Sequence, residues 1–88
     1  MSRLLVKGAE TNLTAGASNA TTCGSATLVR IYNNSGAIVL VTVRDSGGQI
    51  IGSFSMNTGT TEIVEKNPTD EIFGTGGLLK FTKLGYTN

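Results

Sequence analysis

The stretch 26–66 constrains the fold more than any other part of this chain. It contains four short runs rich in Val, Ile and Thr, separated by the turn sequences NNSG, DSGG and NTG. Asn, Asp and Gly tolerate the positive φ angles that tight hairpin turns require, so each of these sequences favours a hairpin. The stretch therefore predicts a core meander of antiparallel strands, with the turn spacing of a small sandwich or barrel.

Alternation along the runs predicts which side chains reach the core, because successive residues of a strand point to opposite faces. Two sheets packed face to face would bury Ile31, Val39, Val41 and Phe54. Val29 shares the face of Ile31, and Ile50 and Met56 share the face of Phe54. In the fourth run, Glu62 and Lys66 share a face with Val64. That sharing predicts that the face of Val64 is the wetter one.

The whole chain, 1–88, is long enough for one small domain. The leading run SRLLVK predicts either a short strand or an anchoring arm. Small and polar residues dominate 8–25, which is typical of a long polar loop or of an arm that packs across a neighbouring subunit. The segment 67–77 predicts a turn, and 78–87 predicts the closing strand. The expected fold is all-β: a small antiparallel β-sandwich or partly open barrel of about six strands with a long N-terminal loop or arm.

Self-association is the expected source of additional stability for so small a core. Cys23 is the only cysteine and there is no histidine, so neither an internal disulfide nor a tetrahedral zinc site is expected. The predicted strands carry apolar residues on both faces, more than one small sheet can hide. The residues expected to contact other copies are Leu4, Leu5, Leu28, Tyr32, Ile38 and Leu40.

Charge and composition argue against several other classes of function. The net charge is +1 and only 15% of the residues are charged, which gives no electrostatic reason to expect a nucleic-acid or membrane partner. The N-terminal apolar run is too short for a signal peptide, so the protein is not expected to be secreted by that route. Without histidine there is no His general base and no Ser-His-Asp or Cys-His arrangement. We interpret Cys23 as a small buried or semi-buried filler, and we expect no catalytic residue, no metal site, no cofactor and no enzymatic activity.

A binding module of another class is the alternative to self-association. Four basic residues and one tyrosine offer a candidate RNA or carbohydrate patch: Arg30, Tyr32, Arg44, Lys80 and Lys83. Ordinary solvated strand faces explain the same residues, because so little charge is clustered. A small carbohydrate- or cell-surface-binding module would instead use the loops at 33–36, 45–48 and 74–77. A domain with no ligand at all is the remaining alternative.

The chain also resembles small virion proteins of tailed bacteriophages, especially those of marine and cyanobacterial phages. The likeness lies in ATLVRIYNNSGAIVLVTVRDSGGQIIGSF, in GTTEIVEKNPTDEIFG and in the ending LLKFTKLGYTN, with VKGAETNL near the start. Its most specific parts are GTTEIVEKNPTDEI and KLGYTN. The resemblance implies a multicopy structural protein, such as a capsid decoration protein or a neck or tail component. It implies a homo-oligomer, a trimer or larger, that enters the virion after assembly in the host cytoplasm, with phage capsid or tail proteins as further partners.

Overall fold

A computed structural model describes residues 3–75 and 79–87 as eight strands in two antiparallel sheets. The strands are β1 (Arg3–Val6), β2 (Thr11–Leu13), β3 (Leu28–Asn33), β4 (Val39–Arg44), β5 (Ile50–Met56), β6 (Thr61–Glu65), β7 (Glu71–Gly74) and β8 (Leu79–Thr87). One 3-10 turn, Ala17–Asn19, lies between β2 and β3. The all-β prediction is confirmed. The strands number eight instead of about six because β2 and β7 lie in segments that the sequence predicts to be loop and turn.

Sheet A contains five strands and is built around β8, in the order β1–β8–β3–β6. β2 pairs with β8 on the same edge as β1, from the register Leu13↔Leu79 to Thr11↔Phe81. The residues 7–10 separate the two short strands, and the Lys7 amide bridges part of this break by donating to the Lys83 carbonyl at 2.8 Å. The leading run is therefore a strand of its own domain.

Sheet B contains three strands in the order β5–β4–β7. The segment 16–21 covers the outer edge of β7. Thr21 of this segment exchanges two backbone hydrogen bonds, of 3.0 and 2.9 Å, with Ile72 of β7. The Gly16 amide also donates to the Gly74 carbonyl at 2.8 Å. Much of the polar segment 8–25 thus lies against its own domain.

The predicted turn after β6 closes within 67–70, where the Asp70 amide donates to the Asn67 carbonyl.

The two sheets pack face to face around one core. Its buried members are Leu13, Cys23, Ala26, Val29, Ile31, Val39, Val41, Met56, Ile72 and Leu79. Four partly buried side chains pack against them: Val43, Phe54, Val64 and Phe81. The sandwich and the predicted core faces of β3 and β4 are confirmed. Among the described residues, no helix is long and apolar enough to cross a membrane.

Two predicted strand faces are wrong. Val64 lies opposite Val29 and packs against the core, so its face is the inner one. Ile50 was expected beside Phe54 on the core face, but a register shift places it opposite Arg44 and leaves it exposed. The shift is a β-bulge, in which one extra residue redirects the side chains that precede it.

A buried asparagine joins the two sheets at one end of the sandwich. Asn33 ends β3, and its Nδ2 donates to the carbonyl oxygens of Ala37 and Met56, both at 2.9 Å. Its Oδ1 accepts from the backbone N–H and the hydroxyl of Ser35 at 2.9 and 2.7 Å. The amide of Asn33 thus satisfies four partners and fixes the β3–β4 turn against the end of β5.

Candidate functional site

The outer face of sheet B is rich in exposed apolar side chains. Of the seven large hydrophobic side chains that are exposed in the described part of the chain, four lie in β5, in β4 or directly before β4: Ile38, Leu40, Ile50 and Ile51. We call this outer face of sheet B, with these four residues, the apolar face. Ile38 is 68% exposed, so this surface is uncovered in the single chain.

The few charges on the apolar face neutralise each other. Arg44 and Glu71 are the only charged residues in β4, β5 and β7, and they form an ion pair of 2.9 Å. The Arg44 guanidinium also lies 5.4 Å from the centroid of the Phe73 ring. Thr42, between these groups, is buried although it is on the outer face. The surface therefore offers apolar contact with one internally balanced ion pair.

The contact residues predicted from the sequence do not form one surface. Ile38 and Leu40 belong to the apolar face. Leu28 is only 5% exposed, so it packs inside the domain and is not available to a neighbour. A charged side chain at Leu28 is thus expected to unfold the domain, whereas one at Leu40 leaves the fold intact.

The other three predicted contact residues lie on sheet A. Leu5 is 37% exposed in β1, and the side chain of Leu4 is outside the described part of the structure. Tyr32 is half-buried, with the Arg30 guanidinium 6.0 Å from its ring centroid. Charged neighbours make the surroundings of Tyr32 more polar than the apolar face.

The predicted basic patch is not assembled as one surface. Arg30 and Lys80 share Glu10, at 3.5 and 3.9 Å. Arg44 belongs to the other sheet, and Lys83 donates to a backbone carbonyl at 2.9 Å. Two of the four cations are therefore balanced by one carboxylate on sheet A, and the other two point elsewhere.

The three loops of the predicted carbohydrate module are also dispersed. The turn at 33–36 precedes β4 and the turn at 45–48 follows it, so the length of a six-residue strand, about 20 Å, separates them. In 74–77, Thr75 lies beside Leu40 near the first of these turns, and residues 76–77 are outside the described part. The described loops thus do not converge on one site.

A titratable cluster closes the other end of the sandwich. The segment 22–26 covers this end and places the Cys23 thiol in the core. Lys66 Nζ donates to the Ala26 carbonyl at 2.7 Å, and Lys83 Nζ donates to the Gly24 carbonyl at 2.9 Å. Hydrogen bonds from the two ammonium groups therefore hold the segment 22–26 against the end of the sandwich.

Burial controls the protonation of this cluster. It raises the pKa of the Cys23 thiol to about 11, and the nearby Lys66 charge opposes the rise only in part. Burial also lowers the pKa of the Lys66 ammonium, against the opposing effects of Cys23 and Asp70. A thiol that stays protonated near neutral pH is a weak nucleophile, so the interpretation of Cys23 as a buried filler is confirmed by its environment.

A shallow cleft of about 400 Å³ adjoins the cluster. Its lining residues are Thr27, Leu28, Glu65, Lys66, Asn67, Pro68 and Gly85. The Lys66 ammonium is already bonded to the backbone carbonyls of Ala26 and Asn67. Within 3–75 and 79–87, no group of three or more His, Cys, Asp or Glu side chains could hold a metal ion.

The Cys23 thiol makes stability depend on alkaline pH. The unfolded thiol ionises near 9.0 and the folded thiol near 11, so the native state binds more protons in this window and its free energy of unfolding falls as pH rises. The loss reaches about 2–3 kcal/mol. The lowered pKa of Lys66 has the opposite sign and adds stability as pH approaches 10.5. Urea denaturation at pH 8, 9, 10 and 11 under reducing conditions measures the sum of these two effects on the free energy of unfolding.

Cys23→Ala is the variant that isolates the thiol. It should remove the fall between pH 9 and 11 and leave the rise due to Lys66. Parallel losses of stability in the variant and the natural protein would show that other groups cause the dependence.

The exposed members of the apolar face that the sequence prediction missed are Ile50 and Ile51. The signal was present in the glycine at position 52, which is typical of a bulge. A bulge there moves Ile50 out of the core and leaves Ile50 and Ile51 exposed together beside the DSGG turn. No family model matches the chain, and no curated protein or solved structure is significantly similar to it.

Proposed function

We propose that this is a non-enzymatic structural protein whose copies associate with one another through the apolar face. The observation that carries the proposal is the exposure of Ile38, Leu40, Ile50 and Ile51 on one side of one sheet, two near each end of β4. Large apolar side chains concentrated on one exposed face favour an interface between proteins. The resemblance to phage virion proteins supports a place in the particle of a tailed bacteriophage, as a capsid decoration protein or a neck or tail component.

The area of the apolar face limits how much binding free energy it can contribute to an assembly. Three strands spaced about 4.8 Å apart and about 20 Å long present roughly 300 Å² in projection. A standard interface takes about 800 Å² from each partner. The apolar face therefore supplies a hydrophobic centre, at roughly 25 cal/mol per Å² removed from water, and a stable assembly needs further contact around it.

Ile38→Glu tests the apolar face directly. The natural protein is expected to be oligomeric at micromolar concentration by multi-angle light scattering. A carboxylate at this exposed position would have to be desolvated in the interface, so the variant is expected to run at a lower mass than the natural protein. Its thermal midpoint, followed by circular dichroism, should stay close to that of the natural protein.

Ile63→Glu is the matched control, because Ile63 is also an exposed isoleucine, at 49%, but lies on sheet A. It is expected to leave the oligomer unchanged. A natural protein that is monomeric at that concentration, or an oligomer whose mass Ile38→Glu leaves unchanged, would refute association through the apolar face.

A further inference from the structure

One edge of sheet B is open. In the parts of the chain that the structure describes, β5 pairs only with β4, and its other edge has no strand beside it. An edge strand presents a row of backbone N–H and C=O groups that can pair with another strand. Alternate residues along the outer edge of β5 therefore offer hydrogen-bonding groups to solvent.

The β5 edge lacks the features that usually block strand addition. The residues 46–61 include no charged residue and no proline. The other described edges are protected in different ways: β6 carries Glu62 and Glu65, and β7 is covered by 16–21. The edge formed by β1 and β2 is interrupted at 7–10, where the chain carries a lysine and a glutamate. Charges and interruptions of this kind are the common means of preventing edge pairing.

We infer that the open edge of β5 pairs antiparallel with β5 of a second copy of this chain. The inference rests on the proposed self-association and names the surface that completes it. An uncharged strand is suited to pairing with itself, because an antiparallel pair of identical charged strands brings like charges close together. The occupant is thus a second copy, bound through backbone hydrogen bonds.

The bulge leaves enough of β5 for this pairing. It affects only the first residues of the strand, and Gly52–Met56 keeps an unbroken register with β4. A two-fold axis at Phe54 would set Ser53 opposite Ser55 of the other copy and bring the two half-buried Phe54 rings together. Such pairing joins two three-stranded sheets into one of six strands.

Edge pairing also enlarges the apolar surface, which in one chain is smaller than a standard interface. The apolar faces of the two copies become continuous and present roughly 600 Å² in projection, twice the single face. That extent approaches what a standard interface takes from one partner. A pair of chains can therefore bind another surface through a face that is too small in one chain.

Residue-resolved amide hydrogen exchange tests the inference on the natural protein. Exchange is compared at low and high protein concentration, with light scattering reporting the associated fraction in the same samples. Alternate amides within Gly52–Met56 should exchange roughly tenfold more slowly when about nine-tenths of the chains are associated, since exchange then proceeds from the free fraction. The intervening amides are already bonded to β4 and should change little.

A pair of variants gives a second measurement. Ser53→Lys with Ser55→Lys places like charges directly across the proposed pairing, and both serines are exposed, so the fold is retained. The dissociation constant is expected to rise at least about tenfold, which corresponds to about 1.4 kcal/mol. Thr61→Lys with Ile63→Lys adds the same charges to the open edge of β6 and is expected to leave it unchanged.

The outcomes separate the two proposals. Association by light scattering without alternate protection in β5 overturns the edge pairing and leaves association through the apolar face standing. A chain that is monomeric at micromolar concentration overturns the proposed function and the edge pairing with it. Alternate protection together with loss of affinity in the β5 variant alone supports both.

Discussion

Replacing Asn33 with leucine is expected to lower the free energy of unfolding by about 3 kcal/mol. Leucine has a similar volume but cannot replace the four hydrogen bonds of the amide. The carbonyl of Met56 is in a buried hydrogen bond and would be left without this donor. An unsatisfied buried polar group costs about 1–3 kcal/mol, and the loss of the turn contacts adds to it. Urea denaturation followed by circular dichroism suits a chain without tryptophan.

Ser35→Ala is the control for this prediction. It removes the hydroxyl that bonds to Asn33 but leaves both Nδ2 bonds in place, so a loss of about 1 kcal/mol or less is expected. Asn33→Asp keeps the acceptor and places a carboxylate oxygen against two carbonyls, so it should be at least as harmful as Asn33→Leu. If Asn33→Leu costs no more than Ser35→Ala, the asparagine does not hold the two sheets together.

Ile31→Ala is expected to cost about 2–5 kcal/mol, because it leaves a cavity between the two sheets. Ile31 is fully buried in the middle of β3 and belongs to the core of the sandwich. For a domain of this size, a loss of that amount is a large share of the total stability. Urea denaturation of the variant and of the natural protein measures the loss in free energy of unfolding. A variant that is already unfolded at 25 °C would have lost the whole stability of the domain.

Ile63→Ala is the matched control, since Ile63 is an isoleucine on the neighbouring strand β6 that is half exposed. Less apolar area is lost there and no enclosed cavity forms, so a cost of about 1 kcal/mol or less is expected. Equal costs at the two positions would contradict the assignment of the inner and outer faces of sheet A.

Local sequence patterns were sufficient to predict the centre of the fold. In β3 and β4, strict alternation places Val29, Ile31, Val39 and Val41 on the core side, where the structure has them. The asparagine- and glycine-containing turns on either side of β4 fix its ends. Each of these features depends on residues close in sequence, which is why no knowledge of the partner strands was needed.

The two additional strands depend on distant partners. β7 is four residues long, directly follows a proline-containing turn, and becomes a strand because β4 offers it an open edge. β2 is three residues long and pairs with β8, about seventy residues away in the chain. Neither segment has enough alternation to distinguish a strand from a loop.

The errors in strand faces have two physical causes. The sequence pattern assigns Lys66 to a wet face, but its long side chain ends on backbone carbonyls while Val64 packs against the core. At Ile50, one bulge residue reversed the expected face. Ile38 and Leu40 were identified correctly as exposed, whereas Leu28 was not, because cross-strand neighbours such as Leu84 are provided only by the tertiary fold.

The central position of β8 determines the order in which the domain can fold. Three strands of sheet A pair with β8: β1 and β2 pair with no other strand among the described residues, and β3 also pairs with β6. Sheet B lies within 39–74, so its three strands can pair with one another before β8 joins sheet A. Pairings so distant in sequence are slow to form because a long loop must first close. The open edge of sheet B is thus present on partly folded chains before the larger sheet is complete, when premature contact between copies is most damaging.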